Sequence, residues 1–143
     1  MNILMLGLGL IAPMGELANT ATSGKEVSLR WEIAKVNKIA GTSELRATSF
    51  NQTNINIDVF KITEGVKLKF IKKTRITGGI GAYYITRKIN QSIENEKGIC
   101  STIGILIPLI STKDIIVRQE ISWHTVPKGL SLTFYVGTKL KTP

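Results

Sequence analysis

Strict alternation of an apolar residue with a polar or small one recurs along almost the whole chain. Val27, Leu29, Trp31 and Ile33 alternate with Ser28, Arg30, Glu32 and Ala34, and Leu130, Leu132, Phe134 and Val136 alternate with Ser131, Thr133, Tyr135 and Gly137. A period of two places the first set on one face of a pleated strand and the second on the other. No segment carries a sustained helical stripe, and strand formers are punctuated by turn residues at regular intervals. The chain is therefore predicted to be all-β. Its 143 residues suit one domain, 1–143.

Eight strands are predicted, at about 2–12, 25–37, 42–50, 54–71, 74–88, 98–110, 114–126 and 130–140. The third is the weakest, with only Leu45 and Ala47 on its apolar face. Segments 13–24 and 89–97 (INQSIENEK) are predicted to be long polar loops, whereas the connections near 38–41, 72–73 and 111–113 are short. The opening MNILMLGLGLIA reads as a strand. A secretory signal is the alternative, although the basic residues that begin such signals are missing.

The formal net charge of +9 favours anionic surroundings. Lysine and arginine form no block, however. The densest patch, Lys72-Lys73-Thr74-Arg75, reads as a solvated turn, so no nucleic-acid partner is expected. The single cysteine, Cys100, excludes an intrachain disulfide and sits in an apolar run that suits packing. One histidine, one cysteine and scattered carboxylates make no spaced ligand set, so no metal or other cofactor is expected. Gly78-Gly79-Ile80-Gly81 looks superficially like a phosphate-binding loop, but no helix signal follows it.

Alternation does not say which face points inward. A soluble barrel buries its apolar face, while a membrane barrel turns that face to lipid and keeps polar groups inside. Three features favour the second arrangement. The apolar faces run for about 9–11 residues, the length of a tilted spanning strand. Glycines 7, 9, 79, 81, 104 and 137 all fall on the polar side, where they relieve crowding in a narrow lumen. The even strand count, with short and longer connections in turn, suits an up-and-down barrel. On this reading Leu29, Trp31, Leu68, Phe70, Ile105, Trp123, Leu132 and Phe134 face lipid. Arg30, Glu32, Glu44, Arg46, Arg118, Glu120 and His124 form a paired network that plugs the lumen, since buried ions must be paired. A rival is an anion-binding or conducting lumen built on Lys61, Lys67, Lys69 and Arg87. The soluble alternative, a lipocalin-like barrel around an apolar ligand, instead turns Trp31, Ile105 and Leu132 inward and Arg30 and Glu120 outward.

The pattern as a whole resembles the small eight-stranded outer-membrane barrels of the OmpA-like and OmpX-like kind. The most family-like pieces are Gly79-Ile80-Gly81-Ala82-Tyr83-Tyr84 and the closing run from Gly129 to Leu140. The resemblance implies a bacterial outer membrane, contact with membrane lipid or lipopolysaccharide, a monomer, and a structural or surface-interaction role through loops 13–24 and 89–97. The chain departs from that pattern in ending Leu140-Lys141-Thr142-Pro143, where such barrels end on an aromatic residue, and in its thin supply of aromatics.

One stretch, Arg118 to Thr125 (RQEISWHT), also suggests chemistry. Glu120, Ser122 and His124 share a face, as a hydrolase triad would. Neighbours on one face are about 7 Å apart along a strand, too far for a serine–histidine bond without help from another strand. The lipid A deacylases, a family of barrel-embedded lipid hydrolases, use a histidine and a serine separated by one residue. Here the corresponding positions are His124-Thr125-Val126, without a nucleophile, so a lipid hydrolase using His124 is the third reading and no enzyme is expected.

Overall fold

The computed structural model describes residues 2–14, 23–33, 39–52 and 55–140. Eight strands follow one another: β1 (Asn2–Pro13), β2 (Gly24–Glu32), β3 (Ile39–Gln52), β4 (Ile55–Lys69), β5 (Arg75–Ile89), β6 (Ser92–Ser111), β7 (Ile116–Thr125) and β8 (Lys128–Leu140). Each pairs antiparallel with its sequence neighbours, and β1 pairs with β8 from Asn2↔Leu140 to Pro13↔Gly129, so the sheet closes into a barrel. Closure leaves no edge in the barrel wall and satisfies its backbone groups strand to strand, the condition for crossing lipid with strands.

The alternation resolves in the membrane sense. Trp31, Ile105 and Leu132 are 46%, 51% and 39% exposed on the outside, while Arg30 and Glu120 are 6% and 1% exposed inside. This overturns the lipocalin-like alternative, which required the reverse. The outer surface is a belt of aliphatic side chains such as Leu6, Leu8, Val27, Ile62, Ile103 and Val136. Glu64, exposed on β4, interrupts it. Its carboxylate accepts a hydrogen bond from Ser43 Oγ at 2.6 Å on the neighbouring strand.

The connections differ from expectation. Segment 89–97 is not a loop. β5 and β6 pair up to Ile89↔Ser92, and only Asn90 and Gln91 join them, with Asn90 in the left-handed region (φ 55°) that asparagine tolerates. The segment SIENEKGI shows no apolar–polar alternation, since both faces of this ribbon are largely exposed, so the strand carried no periodic signal. β6 thus runs well past β7, whose first pair with it is Thr102↔His124. Residues 92–99 form part of a projecting ribbon, with no strand beside β6 on its β7 side among the described residues. The third strand, read as the weakest, is a full strand of 14 residues. At the other end, where the chain termini lie, the β4–β5 and β6–β7 connections span 70–74 and 112–115. These exceed the two-residue β5–β6 and β7–β8 turns, the reverse of the expected order. Most of the predicted loop 13–24 and the predicted end of the second strand, 34–37, lie outside the described residues.

Candidate functional site

The inward side chains come in layers. Near the hairpin end Ile11, Phe50, Ile57, Val59 and Ile85 pack as an apolar cluster, and toward the termini Ile3, Met5, Leu106, Ile116 and Tyr135 form a second. Sequence reading missed both, because these residues sit on strand faces that are polar at their middle. The signal was present: Ile57, Val59 and Ile85 are apolar residues at lumen-facing positions of β4 and β5. Strands apolar on both faces near their ends cap a polar interior.

Between these clusters lies a dense ion network. Arg30, on β2, reaches Glu44 of β3 at 2.8 Å and grips both oxygens of Glu120 of β7, each at 2.8 Å. Arg46 bonds Glu44 at 2.9 Å, Glu26 at 3.1 Å and the Tyr135 hydroxyl at 2.7 Å. That hydroxyl in turn donates to Glu44 at 2.7 Å, and the Arg30 guanidinium lies 4.4 Å from the centre of the Tyr135 ring. Thr77 and Thr48 donate to Glu120 and Glu26, so the carboxylates are held from several sides. Forked guanidinium–carboxylate contacts of this kind are the strong, directional sort. A second group lies nearer the termini, where Glu32 accepts from Arg118 at 2.7 Å and from Lys67 at 2.7 Å.

Room for these long side chains comes from the opposite wall. Glycines 65, 79, 81 and 104 of β4, β5 and β6 face the lumen where β2, β3 and β7 project arginine and glutamate. A Cβ at Gly81 would run into the carbonyl oxygen of Ile62 on β4, so the strands approach there as only glycine permits.

All seven residues predicted for the lumen network therefore point inward, but they divide. Arg30, Glu44, Arg46 and Glu120 share the central cluster with Glu26 and Tyr135, which sequence reading did not select. Glu32 and Arg118 belong to the terminal cluster with Lys67. His124 belongs to neither carboxylate set. Its Nδ1 lies 2.8 Å from Lys61 Nζ and its Nε2 lies 2.8 Å from Ser122 Oγ. The spacing argument against serine–histidine contact fails, because the two side chains lean toward each other over the pleat. The chemistry of a triad is nevertheless missing. Arg46 Nη1 also lies 3.4 Å from Nε2, so the ring sits between two basic side chains, Lys61 and Arg46. The partner that faces Nδ1 is a lysine where a triad has a carboxylate. Glu120 is committed to Arg30 and Thr77.

The cations of the rival anion-binding lumen do not converge. Lys61 contacts His124, Lys67 pairs with Glu32, Lys69 is exposed, and Arg87 pairs with Glu96 at 3.0 Å near the hairpin end. The residues expected to face lipid lie on the outside of the barrel. Leu29, Trp31, Leu68, Ile105, Leu132 and Phe134 are exposed on strands, Trp123 is half-exposed, and Phe70 is exposed just past the end of β4. Cys100 is buried, as its apolar context suggested.

No family model and no curated protein matches the sequence. The fold does match solved structures. Neisserial surface protein A superposes with a TM-score of 0.71 at 8% identity, over 99% of this chain and 97% of that one. The N-terminal barrel of Pseudomonas aeruginosa OprF gives 0.63 at 8% identity, over 96% of each chain. Ail of Yersinia pestis, in complex with the heparin analogue sucrose octasulfate, gives 0.57 at 10% identity, over 96% and 94%. At such identities the shared property is the fold, a closed barrel of transmembrane type.

Proposed function

We propose that the chain, over 1–143, is a single integral barrel of a bacterial outer membrane, monomeric and non-enzymatic, with a sealed lumen and a structural or surface-interaction role. The observation that carries this reading is the inversion of the wall: aliphatic side chains outside, a salt-bridged network inside. Outside water, that belt loses no hydration, and the ions inside keep their partners. Leu29, Trp31, Leu68, Phe70, Ile105, Trp123, Leu132 and Phe134 are assigned to lipid contact, including lipopolysaccharide in the outer leaflet. The seven lumen residues are assigned to the plug, with no cofactor.

Surface interaction is supported by the β5–β6 ribbon more than by the loops first considered. The side of β6 between Ser92 and Ile99 that has no partner strand among the described residues offers backbone groups to an extended segment of another protein. The neighbouring fold of Ail, bound to a sulfated sugar analogue, supports a role at a surface in the same general way.

The test is refolding into phosphatidylcholine vesicles. The folded barrel should migrate differently from the boiled chain on a gel and give no conductance steps in a planar bilayer. Leu132→Arg, which places a charge on the lipid side, should cost about 2–4 kcal/mol in urea unfolding from vesicles. A chain that stays monodisperse in plain buffer and tolerates this substitution would sink the membrane assignment.

A further inference from the structure

The lumen opens at its terminal end into a cavity of about 660 Å³ whose lining includes Lys73, Arg75, Arg118 and Lys139. No carboxylate lines it among the described residues. The nearest acid deeper in the lumen, Glu32, already holds Arg118 and Lys67. Lys73, Arg75 and Lys139 make no ion pair among the described residues.

The fold brings these cations together from different places. Lys73 sits in the β4–β5 turn. Arg75 opens β5, and its guanidinium donates to the Lys72 and Thr74 carbonyls, each at 3.3 Å, which fixes its stem and leaves other donors over. Lys139, on β8, lies opposite Ile3 of β1. Arg118 is anchored from within by Glu32. Between Arg75 and Arg118 the β6 strand bulges at Pro108–Ile110, and Leu109 and Ile110 are both exposed on the wall of the same cavity.

We propose that this mouth binds a phosphate group, carried by a lipid headgroup or free in solution. Clustered cations in a cleft raise the local concentration of anions, and two guanidinium forks match the geometry of phosphate oxygens. Leu109 and Ile110, beside the cations, suit a phosphate that carries an apolar tail. The lysine–arginine turn read from sequence as merely solvated thus supplies two walls of a site. The proposal requires the closed barrel but neither a particular membrane nor a particular orientation, so it stands or falls apart from the reading above.

The experiment uses the refolded full chain in neutral maltoside micelles, followed by phosphorus NMR line broadening. The titrants are inorganic phosphate and dihexanoyl phosphatidylglycerol, with dihexanoyl phosphatidylcholine as the zwitterionic comparison. The triple variant Lys73→Gln, Arg75→Gln, Lys139→Gln should weaken binding tenfold or more. Lys88→Gln, Lys97→Gln, Lys128→Gln, at the hairpin end, should change it less than twofold. Heat-shifted gel migration verifies that each variant is folded, and the single Lys139→Gln serves if the triple variant does not fold. Saturation by both phosphate and phosphatidylglycerol supports a site for the phosphate itself. Saturation by phosphatidylglycerol alone names the lipid as source, and saturation by inorganic phosphate alone names the free ion. Absence of saturable binding to either, equal binding of the zwitterion and phosphatidylglycerol, or equal loss in both variant sets overturns the proposal.

Discussion

Arg46 and Arg118 both point into the lumen, yet they live in different electrostatic worlds. Arg46 is 1% exposed, and it is held by Glu26, Glu44 and Tyr135. Around it the described charges balance, with Arg30, Arg46 and Lys61 against Glu26, Glu44 and Glu120. Arg118 is half-buried and shares one carboxylate, Glu32, with Lys67, while Lys73, Arg75 and Lys139 crowd the mouth beside it. Deep burial requires charge balance, because an unpaired ion there pays its full desolvation. At the mouth, water and mobile anions screen the excess, so imbalance survives and becomes available for binding. The lumen is therefore a neutral plug at its centre and a cationic funnel at one end.

The strongest test of this contrast removes an acid from the centre. Glu120→Ala leaves two bonds of Arg30 and the hydroxyl of Thr77 without partners, and should destabilise the barrel by about 3–5 kcal/mol in urea unfolding from vesicles. Glu32→Gln makes the matching change near the mouth. Arg118 is closer to water and one acceptor oxygen remains, so the loss should be about 1–2 kcal/mol in the same assay. Phosphate affinity should rise with it. An equal loss at both positions would break the distinction between centre and mouth.

A test of the opposite wall falls in the same range. Gly81→Ala pushes a methyl group into the Ile62 carbonyl and should cost about 1–3 kcal/mol, the usual penalty for overpacking, by vesicle unfolding. The smallest effect is expected at the would-be triad. Ser122→Ala removes a single hydrogen bond to His124 and should cost about 1 kcal/mol, with no change in any lipid hydrolysis measured over the refolded protein. A measurable ester hydrolysis lost in this variant would restore the enzymatic reading.

The faces, the strand count and the inward set of charged residues were legible in the sequence because a period of two depends only on neighbours along the chain. Ile3, Met5, Ile57 and Val59 were harder to read. They are apolar residues on a polar face, and only the closed barrel shows that they stack into caps. The division of seven charged residues into a central cluster and a terminal one was equally hidden, since Arg30 and Glu120 are 90 positions apart. So was the contact between Ser122 and His124, where the strand rise gave the spacing of backbones but not the lean of side chains.

The alternation by itself determined that this chain builds amphipathic strands, but the loss of pattern at 89–97 did not mark a loop, because strand pairing continues there to Ile89↔Ser92. It could not choose the inward face, because a strand with one oily side is stable against a core or against lipid. Closure of β1 on β8 decided that. It enclosed the arginines and glutamates where only mutual pairing satisfies them, and it left Lys73, Arg75 and Lys139 around a mouth where no carboxylate among the described residues pairs with them.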